Sequence, residues 1–315
     1  MHPKITVFIP NYNGGEFLRE SVESILHQTR PADQLIVLDD GSTDGSVKSI
    51  GDLERSGKVI IVRHAENRGK AAVLNEAFLE NDADFYLIQD ADDVAYPERI
   101  ERQISFLDEN RELVCSSGLV EYLGENDAYM GKGRLDLLDR PRLDDYLSGD
   151  EPFGLFCPCV ILRAEIVRDP DLQFRGRFWP ADDIDLWNRI AEAGHLVLAQ
   201  PEILVKYRIH GESAVTSSFM RTRMQFEWVR ECLRARRRGV GEPDRDEFLK
   251  RWNSVSVLGR INRARKIYAK ALYRGAGFAR ARGDLVGGIL RLGLGGFLQP
   301  SYVMNRLKHQ IFGLK

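Results

Sequence analysis

Strand-like apolar runs and helix-like amphipathic segments alternate regularly through the first 107 residues of this 315-residue chain. The first run, Ile5–Ile9, is β-branched and aromatic, which is typical of a strand buried on both faces of a parallel sheet. Four such units predict an α/β fold with a Rossmann-like, mostly parallel sheet covered by helices. The strands are expected at 5–9, 34–38, 59–62 and 85–88, and the helices at 17–28, 44–55, 70–79 and 97–107.

Acidic side chains follow two of the predicted strands. Asp39 and Asp40 come after the second strand, and Asp90 and Asp92 come after the fourth. Ligands of such sheets bind beyond the carboxyl ends of the strands. Two carboxylates two residues apart can converge on Mg²⁺ or Mn²⁺, and these ions commonly bridge carboxylates to a diphosphate. An Asx-turn or a helix N-cap is the structural alternative for each aspartate.

A second acidic pair, Asp182 and Asp183, begins a predicted helix at 182–193. These residues would complement the helix dipole, or one of them would act as a general base, and the spacing does not decide between the two. Asp185 is expected to pair with Arg189 four residues later. Further on, His210 follows a predicted strand at 203–207; it could supply an imidazole to the same metal, with a structural role as the alternative.

The middle of the chain has less regular patterns, and it contains three of the four cysteines. Four scattered cysteines are too few for a disulfide scaffold, and Cys157-Pro158-Cys159 lacks redox or zinc spacing. We therefore expect this pair in the core, on a buried strand, and a reducing compartment. Further strands are expected at 114–122, 156–162 and 195–199, with a loop at 124–133 and mainly helix after residue 213.

The net charge of −2 hides a strong asymmetry between the two ends of the chain. Residues 220–315 hold 22 Lys/Arg and 7 Asp/Glu, a net charge of +15, whereas residues 1–219 carry −17. This change in charge and pattern predicts a separate C-terminal region. The expected domains are a catalytic domain at 1–218, with halves at about 1–110 and 111–218, and a basic α-helical region at 219–315.

Three interpretations of the basic region are open. It could bind nucleic acid, but no nucleic-acid motif accompanies the cations, so we expect no nucleic-acid partner. It could neutralise the acidic body as a structural cap. We favour the third interpretation, peripheral attachment of residues 220–315 to an anionic membrane surface. The chain shows no signal-peptide core and no apolar run long enough to span a membrane, so we expect a cytoplasmic protein at the inner face of the cell membrane.

Seven short motifs lie between residues 4 and 213, at 6–13, 24–29, 38–44, 67–75, 90–93, 182–187 and 207–210. In sequence and in order they resemble the motifs of family 2 glycosyltransferases. Each motif is common by itself, whereas seven in the family's order are specific. The resemblance implies the A-type glycosyltransferase fold, a nucleotide-diphosphate sugar donor, a divalent cation (Mn²⁺ or Mg²⁺) and inversion at the anomeric carbon.

The resemblance also implies roles for individual residues. The family usually has Glu-Asp where this chain has Asp182-Asp183. The catalytic carboxylate is therefore retained, and the shorter first side chain is expected to change contacts with the acceptor. The implied residues are Asp183 as the base; Pro10, Tyr12, Asp40, Lys70 and Asp90 for the nucleotide sugar; Asp90, Asp92 and His210 for the metal; and Asp182 and Trp187 on the acceptor side.

The expected function is therefore sugar transfer to a saccharide or lipid-linked saccharide, in synthesis of a cell-surface polysaccharide or glycolipid. One alternative is a non-catalytic nucleotide-sugar-binding protein. Another is a haloacid-dehalogenase-like phosphatase, with Asp90 as nucleophile after the strand at 85–88. About ninety residues of βα structure with their own motifs precede Asp90, which argues against the phosphatase.

Overall fold

The computed structural model contains two compact units, and the predicted domain boundary after residue 218 lies outside the described residues. The described residues are 2–124, 127–209, 219–281 and 283–305. The first unit is formed by residues 1–122 and 132–208, and the second by residues 123–131 and 209–315.

The first unit is built on a sheet whose first half is parallel, as predicted. Strands run in the order β3-β2-β1-β4, and β1 pairs in parallel with both β2 and β4. In this register Asn11 at the end of β1 lies beside Asp39 at the end of β2, so that their side chains share one edge. The four strands are β1 (Ile5–Asn11), β2 (Gln34–Asp39), β3 (Ile60–Arg63) and β4 (Phe85–Ile88).

Beyond β4 the sheet continues as β8-β6-β9-β5 and contains antiparallel pairs. Strand β8 runs antiparallel to β4 and to β6, and β5 runs antiparallel to β9. The α/β fold class with a Rossmann-like half is confirmed, together with a helical C-terminal region. The remaining strands are β5 (Val94–Ala95), β6 (Leu113–Leu123), β7 (Tyr129–Lys132), β8 (Val160–Arg163) and β9 (Leu196–Arg208).

Helices connect the strands of the first unit. Their apolar sides face the sheet, where Phe8 of β1, Phe78 of the third helix and Tyr86 of β4 pack with ring centroids 5.2–5.6 Å apart. This aromatic cluster fixes β1 and β4 side by side beneath the edge where both strands end. The helices are α1 (Phe17–Leu26), α2 (Gly51–Arg55), α3 (Lys70–Glu80), α4 (Arg99–Glu109), α5 (Arg140–Ser148), α6 (Ala164–Val167) and α7 (Asp182–Glu192).

Four local predictions are corrected by the structure. The helix predicted at 44–55 starts only at Ser46, because Gly45 before it is in the left-handed region, and it consists of a 3₁₀ turn (Ser46–Ile50) followed by the short α2. The strand predicted at 156–162 starts only at Val160, since Cys157–Cys159, with Pro158, form a 3₁₀ turn. The two strands predicted at 195–207 are one, β9, and the loop predicted at 124–133 contains β7. All four cysteines are buried thiols.

The second unit is mainly helical. Its first two helices pack together through Trp228, which stacks on Phe248 with ring centroids 6.0 Å apart. Trp228 also donates its Nε1–H to the carbonyl of Pro243 at 3.0 Å. Across the described ranges, we find no helix that combines the length and the apolar character needed to cross a bilayer. The helices are α8 (Phe219–Arg237), α9 (Arg245–Ser254), α10 (Val257–Ala281) and α11 (Leu285–Leu298).

Candidate active site

Three carboxylates converge in the loop that follows β4. All four residues of β4 are buried, and the chain turns sharply where the strand ends. Asp90, Asp92 and Asp93 each place a carboxylate oxygen within 4.8 Å of the others. Asp93 is buried, whereas Asp90 and Asp92 are half-buried, so the cluster opens towards solvent on one side. The predicted pairing of Asp90 with Asp92 at one site is therefore present in the geometry.

This acidic loop is held from behind by hydrogen bonds. Ser21 of α1 donates its hydroxyl to the carbonyl of Asp90 at 2.8 Å. Arg208, at the end of β9, donates its Nε–H to the carbonyl of Asp92 at 3.1 Å and its backbone N–H to Asp93 Oδ1 at 2.8 Å. These bonds fix the backbone of the loop and, through it, the positions of the carboxylates.

The donor set fits a hard divalent cation. Asp93 Oδ2 is buried and has no hydrogen-bond partner within the described ranges. Burial, and then repulsion from Asp92 and Asp90, raises the pKa of Asp93 well above its usual value. A cation among the three carboxylates would remove this repulsion, and oxygen ligands are those that Mg²⁺ and Mn²⁺ prefer. The D-x-D pattern did not indicate Asp93 as a ligand, although it is the third acid in the run; His210 lies outside the described residues.

Lys70 brings a positive charge into contact with the acidic loop. It is the first residue of α3, and its ammonium group forms an ion pair with Asp90. Burial disfavours the charged ammonium, but the Asp90 carboxylate, together with Cys157 and Asp182, outweighs this effect and raises the pKa of Lys70 well above its usual value. The predicted donor-site lysine thus lies in contact with the acidic loop.

Asp182 and Asp183 occupy the first turn of α7. Burial raises the pKa of Asp182 to about 6, an effect that the charge of Lys70 opposes. Burial also raises the pKa of Asp183 to about 7, with a further contribution from the charge of Asp182. Asp183 Oδ1 accepts the backbone N–H of Ile184 at 2.8 Å. A carboxyl group with a pKa near 7 can both take and release a proton at neutral pH.

Helix α7 is anchored by hydrogen bonds to a buried carboxylate. Asp185 is fully buried and accepts hydrogen bonds from Arg189 Nε at 2.9 Å and from Arg175 Nε at 2.8 Å, so the predicted Asp185–Arg189 pair is present. Trp187 is placed differently from the prediction. Its side chain is fully buried in the core, with its ring centroid 5.8 Å from that of Phe174, because α7 is buried around most of its circumference; Trp187 therefore offers no exposed surface to an acceptor.

The predicted nucleotide side lies at the ends of β1 and β2. Tyr12 is 53% exposed and Pro10 is half-buried. Asp40 is buried, and its two carboxylate oxygens accept the backbone N–H groups of Arg68 and Gly69, each at 2.8 Å. Asp40 therefore holds the loop before α3 in place, and this loop delivers Lys70 to Asp90. A contact between Asp40 and a base would use the remaining lone pairs of its oxygens.

The turn that follows β2 requires glycine at position 41. Gly41 has φ +76°, and a Cβ built on it would lie 2.8 Å from the carbonyl carbon of Glu66. The turn after β2 and the loop before α3 thus lie so close together that no side chain fits at position 41. Asn11 supports the same edge from β1 by donating its Nδ2–H to Asp39 Oδ1 at 3.1 Å.

Solved structures share this fold. A mannosyltransferase of Pyrobaculum calidifontis, in complex with GDP-Man and Mn²⁺, aligns over 100% of this chain and 89% of its own, with TM-score 0.58 and 17% identity. S. aureus TarS 1–349, in complex with UDP-GlcNAc, aligns over 94% of this chain and 92% of its own, with TM-score 0.57 and 16% identity. At these identities the likeness shows the fold alone.

The family follows from the sequence match. The model of Glycosyl transferase family 2 matches residues 6–169, more than half of the chain. The chain therefore belongs to glycosyltransferase family 2, as its motifs predicted. This membership assigns Asp90-Ala91-Asp92 to a glycosyltransferase rather than to the phosphatase alternative.

The names of individual relatives are those of glycosyltransferases as well. An uncharacterized glycosyltransferase of Haemophilus influenzae is 28% identical over 66% of this chain and 66% of its own length, so the match leaves about a third of that relative uncovered. The protein named "putative glycosyltransferase EpsE" of Bacillus subtilis is 30% identical over 69% of this chain and 77% of its own length. The amylovoran biosynthesis glycosyltransferase AmsE of Erwinia amylovora is 28% identical over 65% and 75%.

Proposed function

We propose that the chain is an inverting, metal-dependent glycosyltransferase that moves a sugar from a nucleotide-diphosphate donor to a hydroxyl group. One observation carries the proposal: the carboxylate cluster and Asp183 share one electrostatic environment. The negative charge of Asp90 contributes to the raised pKa of Asp183, and the positive charge of Lys70 acts on both. This coupling supports our assignment of the acidic loop, as the proposed metal site, and of Asp183, as the proposed base, to one active site.

Asp183 is the proposed catalytic base. The acceptor hydroxyl gives its proton to the Asp183 carboxylate while its oxygen bonds to the anomeric carbon of the donor sugar. The bond from that carbon to the phosphate oxygen breaks, and the electron pair leaves with the nucleoside diphosphate. A single displacement on one face inverts the anomeric configuration and needs no covalent enzyme intermediate. Asp182, next to it, is proposed to contact the acceptor.

The proposed cation site is formed by Asp90, Asp92 and Asp93. A bound Mn²⁺ or Mg²⁺ would supply neutralisation of the charge that develops on the leaving diphosphate. Lys70 adds a second positive charge beside Asp90. His210, which lies outside the described residues, remains a proposed further ligand.

The proposed donor is a nucleotide-diphosphate sugar. The structural neighbours bind UDP-GlcNAc in one case and GDP-Man with Mn²⁺ in another, which supports this class of donor without selecting a base or a sugar. Pro10 and Tyr12 are proposed to line the nucleotide pocket, and Asp40 to meet the base. The exposed ring of Tyr12 is available for such a contact.

The proposed acceptor is a saccharide or a lipid-linked saccharide in polysaccharide or glycolipid synthesis. The name of the AmsE relative refers to amylovoran biosynthesis, which supports a polysaccharide product. We further propose that the basic region 220–315 attaches the protein to the anionic inner face of the cell membrane. Its net charge of +15 supports this, since each Lys or Arg near such a surface contributes roughly 1 kcal/mol.

The test is a donor screen with product analysis. Thermal shift with UDP- and GDP-sugars is measured with Mn²⁺ and with excess chelator, and products on candidate acceptors are identified by mass spectrometry and anomeric NMR. The proposal expects metal-dependent stabilisation by one donor and a product of inverted anomeric configuration. Donor binding without transfer to any acceptor would favour a non-catalytic binding protein, and a retained configuration would contradict the single displacement.

A further inference from the structure

Helix α11 has two faces of different character. Its 14 residues include one charged side chain, Arg291. Gly288 and Gly295 are its buried positions, and each places its Cα against helix α10: a Cβ on either would lie 3.3 Å from an α10 carbonyl oxygen. The glycine face thus packs closely on α10, and the two helices form a hairpin.

The opposite face of α11 is apolar and exposed. At 100° per residue its large side chains cover about half of the helix circumference. Phe297 is the most exposed of them, at 83%. Within the described ranges, these side chains are left uncovered, and each is more than half exposed: Leu285, Val286, Ile289, Leu290, Leu294 and Phe297. A continuous exposed surface of six large apolar side chains, rimmed by polar groups, marks an interaction site.

The rest of the hairpin is strongly cationic. Residues 257–298 contain nine Lys or Arg and a single acid, Asp284. Several of these cations lie on the exposed surface of α10. The hairpin therefore combines an apolar face on one helix with a dense positive charge on the other, the pair of properties by which interfacial helices bind anionic lipid.

The length of α11 decides how it can meet a bilayer. Fourteen residues extend about 21 Å, less than the roughly 30 Å of a hydrocarbon core. A helix of this length lies along the interface and buries one face in the headgroup and acyl boundary. Its buried glycine face remains on α10 in that arrangement, so no internal contact of the hairpin has to break.

We propose that the α10–α11 hairpin inserts the apolar face of α11 into the interface of an anionic lipid bilayer. This inference rests on the proposed attachment by charge and adds a defined inserting element. A second copy of the chain fits the same face less well, because face-to-face contact would bring two hairpins of net charge +8 together. Anionic lipid instead complements both the cations and the apolar side chains.

An environment-sensitive fluorophore at position 297 tests the insertion. Because the four native cysteines are buried, the variant Phe297→Cys can be labelled selectively in the full chain. Leu79→Cys, on α3 and 58% exposed, is the matched control. We expect a blue shift and enhanced emission at 297 with phosphatidylglycerol vesicles, no change at 79, and little response to phosphatidylcholine. Unlabelled Phe297→Gln should bind phosphatidylglycerol vesicles about tenfold more weakly.

Each other outcome has a separate meaning. Binding that 0.5 M salt fully reverses, without a shift at 297, would overturn the insertion and leave attachment by charge intact. A shift that appears with protein concentration alone, together with a dimer in light scattering, would assign the face to a second copy and overturn the proposal. Absence of binding at low salt would overturn both insertion and attachment. Sugar transfer to a soluble acceptor is measured in parallel and reports on catalysis alone.

Discussion

The backbone N–H of Arg208 donates to the carboxylate of Asp93 at 2.8 Å, joining the end of β9 to the loop after β4 across 115 positions of sequence. The guanidinium of the same residue bonds the carbonyl of Asp92 and forms an ion pair with Glu20 at 2.7 Å. Arg208 thus connects the antiparallel half of the sheet to the acidic loop at the end of the parallel half. It positions the proposed metal ligands without being one of them.

Arg208→Gln should loosen this loop. We expect the Mn²⁺ concentration for half-maximal activity to rise about tenfold while kcat changes less, because the ligands remain but their positions are less fixed. The matched control is Arg63→Gln, which removes an arginine from an exposed pair with Glu54. A change in kcat alone, at unaltered metal dependence, would contradict a positioning role for Arg208.

Asp93→Asn should preserve the stability of the metal-free protein but abolish its stabilisation by metal. The amide can still accept the N–H of Arg208, but it removes one of three mutually repelling carboxylates. In excess chelator the melting temperature should therefore be equal to or higher than that of the wild type. The stabilisation on adding Mn²⁺ should disappear. Calorimetry with and without metal checks both, and full retention of the Mn²⁺ effect would exclude Asp93 as a ligand.

Lys70→Gln should shift the pH dependence of transfer to higher pH. The positive charge of Lys70 lowers the pKa of Asp182 and Asp183, so its removal raises the pH at which Asp183 becomes deprotonated. The wild-type profile of log(kcat/KM) is expected to rise up to a pH of about 7. Lys70→Arg keeps the charge and should leave the midpoint nearly unchanged. Identical midpoints in Lys70→Gln and wild type would show that Lys70 does not act on the base.

Gly41→Ala should destabilise the turn after β2, next to the proposed nucleotide-binding residue Asp40. Its φ of +76° and the 2.8 Å approach of Glu66 leave no room for a methyl group, so we expect a loss of about 1–3 kcal/mol in the free energy of unfolding. Gly57→Ala is the matched control, since Gly57 has φ +73° with open space around it. Urea unfolding of both variants measures the difference. Equal losses would mean that backbone strain, and not the close approach, accounts for the effect.

The parallel half of the sheet could be predicted from sequence because its signal is local. Each of β1, β2 and β4 contains a run of β-branched, aromatic or other apolar residues, and each run is followed by a helical spacing. Their shared edge follows from the rule that successive parallel strands are joined by right-handed crossovers. The residues at that edge, Asp40 and Asp90, could therefore be selected as site candidates from their positions in the sequence.

The other half of the site depends on contacts between distant segments. Nothing near Arg208 in the sequence indicates that it binds residues 92 and 93, and antiparallel pairing of β8 with β4 has no local signature. Trp187 shows the same limit: the motif implied a contact with the acceptor, but distant segments bury α7 around most of its circumference and the side chain of Trp187 lies in the core. Burial of α7 also sets the pKa of Asp183, which spacing alone could not show.

The rate of sugar transfer by Asp183→Asn at saturating donor tests the central claim most directly. With the donor and acceptor found by screening, Asp183→Asn should bind donor and Mn²⁺ like the wild type and lose transfer by a factor of about 10²–10⁴. Asp182→Asn should lose less, and Asp139→Asn, which alters the N-cap of α5, should lose almost nothing. Equal, small losses in Asp182→Asn and Asp183→Asn would show that the pair only caps α7, and would contradict Asp183 as the base.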